Sequence, residues 1–199
     1  MAIAVLGMVG GSSVIEPLAK ELENENSRIR RAAIETLGRI ADPKVVPTLI
    51  AYFPKADEAE KGMVLTALSH HFHPDVVKLM LSLLADVETY SALRLKSALG
   101  LGNLRAREAV RLLVGIMLNT AEPTGLRLTC VSALGKFSKD EDYAIAGLIG
   151  ALADERLAEA ASMALSRITR RYLGADKARW EKWFREERDA ERKQPAVRH

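Results

Sequence analysis

Ile29-Arg30-Arg31-Ala32-Ala33-Ile34-Glu35-Thr36-Leu37-Gly38-Arg39-Ile40-Ala41-Asp42-Pro43-Lys44-Val45-Val46-Pro47-Thr48-Leu49-Ile50 reads as two short helices joined by a turn at Asp42-Pro43. In the first helix Ile29, Ala33, Leu37 and Ile40 are spaced 4, 4 and 3, which is one helical face. Ala32 and Ala33 are small, so a second helix can approach closely there. In the second helix Val46, Leu49, Ile50 and Phe53 form the matching apolar stripe. One hairpin of this size buries too little surface to stand alone, whereas stacked copies bury each other's faces.

Copies follow along the chain. Leu6-Gly7, Leu37-Gly38, Leu68-Ser69, Leu99-Gly100, Leu134-Gly135 and Leu165-Ser166 occupy similar settings, with leucines stepping by 31, 31, 31, 35 and 31 residues. Val14, Ile15 and Leu18 lie 31 residues before Val45, Val46 and Leu49, and Arg30 and Ala33 return 97 residues later as Arg127 and Cys130. A fixed period of this length signals a repeat architecture. The spacing therefore predicts an all-α chain, an α-solenoid of antiparallel helix pairs with Leu37 and Leu99 in its core. The period divides 1–192 as one array: a half repeat 1–23, repeats 26–54, 57–86, 88–119 and 123–153, and a terminal unit 155–192. Residues 193–199 read as a frayed tail. Gly102-Asn103-Leu104-Arg105 replaces the Asp-Pro turn with about two extra residues, and the loop 119–124 takes up the longer 35-residue step.

The run from Ile29 to Pro43 resembles the HEAT repeat, in the short bacterial form called the phycobilisome-lyase HEAT-like repeat. The resemblance extends over nearly the whole chain and implies a superhelical scaffold. It implies no single function, because such repeats occur in scaffolds, lyases and DNA-repair proteins. The end of the chain, with Thr169, Gly174-Ala175-Asp176, Trp180 and Trp183, is similar to a terminal element of bacterial HEAT-like arrays. Trp180, Trp183 and Phe184 share a face and are expected to cover the open end of the last repeat rather than stack on nucleic acid.

Composition agrees with helices packed through Leu, Ala, Val and Ile: 48% of residues are hydrophobic but only 5% aromatic. No run of 18 apolar residues offers a membrane span, and the apolar start Met1–Val9 lacks the basic flank of a signal peptide. That start matches only the last half of a first helix. Either the native array extends further or a half repeat caps it. The one cysteine, Cys130, takes the packed position of Ala33 and reads as a small buried hydrophobe. A cytoplasmic setting is expected.

No phosphate loop, serine elbow, Cys-x-x-Cys or His-Glu pair is present, so no catalysis and no cofactor are expected. Three of four histidines, His70, His71 and His73, gather at one turn. They are weak metal candidates, since neighbours at a helix end diverge and no carboxylate or cysteine supports them. The second helices would line a concave face, and Lys20, Tyr52, Lys78, Arg107 and Arg111 are the candidate contacts there for another protein or peptide. The expected role is thus a non-catalytic adaptor. The alternatives are an enzyme-associated subunit of the bilin-lyase type, or nucleic-acid binding through Arg105, Arg107, Arg111 and the basic end. Residues 167–199 hold 11 Lys/Arg against 6 Asp/Glu. The mixed charges of the second helices favour protein over nucleic acid as the partner, and the sequence is silent on oligomeric state.

Overall fold

Polar side chains start the helices where the chain must leave its loops. Asn26 accepts the Arg28 backbone N–H at 3.0 Å. Asp57 and Glu60 form a reciprocal capping box at the head of the next pair. The computed structural model, which describes residues 11–139 and 141–193, contains eleven α-helices and no strand among these residues. The chain is all-α, with the HEAT-like helix pairs of an α-solenoid. The apolar start 1–9 lies outside the described residues.

Two units separate by their contacts, residues 1–109 and 110–199. The first holds α1 (Ile15–Glu21), α2 (Ser27–Arg39), α3 (Val45–Tyr52), α4 (Glu58–Leu68), α5 (Pro74–Ala85) and α6 (Ser91–Leu104). The second holds α7 (Val110–Leu118), α8 (Thr124–Leu134), α9 (Asp142–Ala151), α10 (Ala158–Thr169) and α11 (Lys177–Lys193). In the first unit α2, α4 and α6 stack side by side, and α1, α3 and α5 each lie against the helix that follows. The second unit repeats the scheme, with α8 against α10, α7 against α8 and α9, and α11 against α9.

Small residues set the spacing of these stacks. A Cβ on Gly38 of α2 would stand 2.7 Å from the Ala67 Cβ of α4. Gly147 of α9 sits equally close to Val114 of α7, 2.7 Å from its Cγ2, so alanine would not fit at either place. Gly150, one turn on, has only ordinary contact with Leu118 at 3.6 Å and tolerates a methyl group. Cys130 is buried.

The period needs one correction. Leu37, Leu68, Leu134 and Leu165 are fully buried, but Leu99 is 39% exposed and Leu101 is 0% exposed. The repeated column is therefore Leu37, Leu68, Leu101, Leu134 and Leu165, in steps of 31, 33, 33 and 31. The buried residues of α6 (Leu93, Ser97, Ala98, Gly100, Leu101) fall 33 positions after those of α4 (Glu60, Val64, Leu65, Ala67, Leu68). Two of the added residues lie before α6, in the turn 86–90, where Asp86 accepts from the Glu88 N–H and the Thr89 hydroxyl. Gly102-Asn103-Leu104 are helical and belong to α6, not to a lengthened turn; the helix ends at Arg105 in the left-handed region, φ 50°.

In the corrected register one column is basic: Arg30, Lys61, Arg94 and Arg127. Two of these, Arg94 and Arg127, cap the end of the helix before them, and Arg30 holds the loop that follows α1. Arg30 donates through Nη1 to the Asn24 and Glu25 carbonyls at 3.0 and 3.1 Å. Arg94 Nε donates to the Leu84 carbonyl of α5 at 3.1 Å, and Arg127 Nε to the Met117 carbonyl of α7 at 2.8 Å. The last carbonyls of a helix lack intrahelical donors, and a guanidinium supplies them with charge assistance. Lys61 is spared this task and pairs with Glu58 at 2.8 Å, because α3 runs directly into the 3-10 turn Phe53–Lys55.

Candidate functional site

The candidate contacts divide between the units. In the first, Lys20 stands exposed in the last turn of α1, and Lys78 stands exposed on α5. Neither forms an ion pair among the described residues. Arg107 is exposed in the 3-10 turn Arg107–Ala109. In the second unit Arg111 is exposed on α7, and its guanidinium lies over the Tyr143 ring of α9, 5.5 Å from the centroid.

Tyr52 is not among the exposed contacts, and this corrects the reading from sequence. Its side chain is buried, 6% exposed, and its hydroxyl donates to Glu60 Oε2 at 2.6 Å. Glu60 is itself buried and takes Arg30 on its other oxygen, with Nη2 at 2.8 Å and Nε at 3.0 Å. A buried carboxylate needs such partners, since desolvation without them is costly. The same Arg30 holds the loop carbonyls of Asn24 and Glu25, so one network ties α2, α3 and α4 to the loop after α1. The sequence carries its signal as Asp57-x-x-Glu60, the capping-box spacing, with a basic residue 30 positions earlier.

Burial and the Glu60 charge push the Tyr52 phenol from 10.0 up to about 12. A folded value above the unfolded one contributes stability that is complete below about pH 10 and is lost as pH rises towards about 12. Urea midpoints of the native chain are expected to fall more between about pH 9 and about pH 11 than those of Tyr52→Phe. Equal falls in the two proteins would show that the phenol is not linked to folding.

The histidine turn lies in the first unit. His73 heads α5, with Nδ1 accepting the Asp75 N–H at 3.2 Å. His70 is exposed. His71 is half-buried, its Nε2 is buried without a hydrogen-bond partner, and burial lowers its pKa. No group of three or more His, Cys, Asp or Glu side chains is placed to hold a metal ion among the described residues. A cavity of about 590 Å³ lies between the turns of successive pairs, lined by Gly38, Arg39, Pro43, Val46, His71 and Phe72 among others. The Phe72 ring, 66% exposed, stands at this cavity, and sequence reasoning did not single it out.

At the end of the chain Trp180 is fully buried, and its Nε1 donates to the Gly174 carbonyl at 2.7 Å. Trp183 meets it edge to face, with ring centroids 5.6 Å apart. No helix among the described residues is long and apolar enough to cross a membrane. A search of curated proteins finds no match. Residues 1–69, which include α1 to α4, match a family model described as HEAT repeats, and over that stretch the chain is similar to a HEAT-repeat protein.

Proposed function

We propose that the chain is a non-catalytic scaffold that binds another protein or peptide through side chains standing on its second helices. The observation that carries this reading is the pair Lys20 and Lys78. Each is exposed on a regular helix and free of an ion pair among the described residues. Two other cations of this unit are engaged, Lys55 with Glu23 and Lys61 with Glu58, each at 2.8 Å. Cations held ready on a rigid frame suit recognition of an acidic surface. The match over residues 1–69 supports the same reading, because HEAT repeats generally mediate protein–protein interaction. The 31-residue spacing of the first two pairs favours the short, phycobilisome-lyase form of the repeat within that class.

The test is affinity capture from cell extract with the whole chain, with mass spectrometry of what is retained. The native chain is expected to retain a defined protein that Lys20→Glu with Lys78→Glu releases, at unchanged melting temperature. Arg111→Glu, made separately, reports on the second unit. Retention of the same proteins by every variant, or of a bilin-bearing protein, would count against the reading.

A further inference from the structure

Four cations of α11 are matched by carboxylates, while Arg185 reaches only the Glu181 carbonyl, at 3.4 Å. Lys177 pairs with Glu181, Arg179 with Asp176, Lys182 with Glu186 and Arg188 with Asp142. The last turn of α10 and the turn that follows it are different. Arg167, Arg170 and Arg171 are exposed and form no ion pair among the described residues. Lys136, half-buried and already engaged, lies beside Arg167 from the turn after α8. A Cβ on Gly135 would stand 3.0 Å from the Ala164 Cβ, so the end of α8 is pressed against the last turns of α10. The Lys136 ammonium is held below its ordinary pKa, by burial first and by the Arg167 guanidinium second.

Two further features mark this turn. Arg170 closes α10 with its N–H on the Ser166 carbonyl at 3.0 Å, but at φ 60°. Glycine adopts that conformation without strain and arginine does not. Tyr172, two residues on, is 90% exposed. A ring that open contributes nothing to the core, whereas an aromatic face beside guanidinium groups suits a nucleobase next to its phosphates. An acidic peptide would use the cations and leave the ring idle.

We propose that the end of α10 and the turn before α11 bind single-stranded nucleic acid, with Arg167, Arg170 and Arg171 on phosphates and Tyr172 stacked on a base. The activity is separate from the scaffold role and lies in the second unit. Base choice is weak, because every base offers a π face.

Fluorescence anisotropy of the full chain with labelled oligo(dT) and oligo(U) of about 12 nucleotides tests this, the two arms separating DNA from RNA. Log affinity against log salt is expected to have a slope of about −2, from about 0.7 per neutralised phosphate. Arg170→Gly is expected to weaken binding and flatten the slope by about 0.7, with the melting temperature unchanged or raised. Tyr172→Ala is expected to weaken binding at least about fivefold with the slope kept. No binding at about 50 mM salt, affinity untouched by either variant, or equally tight binding of a labelled polyglutamate peptide overturns the site.

Discussion

Trp180→Ala is expected to lower the stability of the second unit by about 3–5 kcal/mol, the range for deleting a large buried aromatic side chain. The ring is 0% exposed and lies at the junction of α11 with the Gly174 turn. Removing it deletes the edge-to-face contact with Trp183 and the hydrogen bond to the Gly174 carbonyl. Gly174 holds a positive φ of 68°, so the turn is shaped to present that carbonyl. Trp180→Phe keeps most of the apolar surface and loses the donor, and about 1–2 kcal/mol is expected. Tyr172→Ala, at an exposed ring close by, is expected within about 0.5 kcal/mol of the native chain. Urea unfolding of the three variants reads this order. An equal, small effect for Trp180→Ala would mean that α11 is not anchored through this residue.

The second large effect is expected at Arg127. Its side chain is 2% exposed, bonded through Nε to the Met117 carbonyl at 2.8 Å and through Nη2 to Asp154 at 2.7 Å. Arg127→Ala removes a charge-assisted bond and leaves a void between α7, α8 and the Asp154 turn; about 2–4 kcal/mol is expected, from a charged hydrogen bond plus lost packing. Asp154 reaches water and keeps the Arg156 N–H at 3.0 Å, so it stays solvated when the arginine is gone. Arg127→Lys retains the charge without the fork that serves carbonyl and carboxylate together, and is expected to recover less than half of the loss. Full recovery by lysine would reduce the arginine to a general charge.

Much of the fold is legible in the sequence because its signal is repeated. The apolar columns of α2, α3, α4, α8 and α10 are each read once and confirmed by the next copy. Asn26 and the Asp-Pro turn are local signals of known geometry. The reading slips at residues 99–102, where Leu-Gly-Leu-Gly fits the column at two offsets. A constant period selects Leu99, but two residues added in the turn 86–90 rotate the helix face and bury Leu101 instead. Local pattern cannot see this, since loop length is weakly constrained.

The candidate site was less legible. Lys20, Lys78 and Arg111 stand exposed on their helices. Tyr52 shares the same helix set, yet its ring turns inward to a carboxylate that only folding brings near. The column Arg30, Arg94 and Arg127 looks like surface charge in the sequence, because the carbonyls it serves carry no sequence signature. The strain at Arg170 and the exposure of Tyr172 are properties of backbone and neighbours, and no spacing rule reports them.

The repeat register fixes every other placement, from the arginine column to the exposed lysines, and a matched pair of truncations tests it most directly. Urea unfolding would compare Leu99→Ala with Leu101→Ala in the full chain. The register predicts a loss of about 2–5 kcal/mol for Leu101→Ala and about 1 kcal/mol or less for the half-exposed Leu99. A large loss at Leu99 with little at Leu101 would restore the constant period and contradict the packing described for α6.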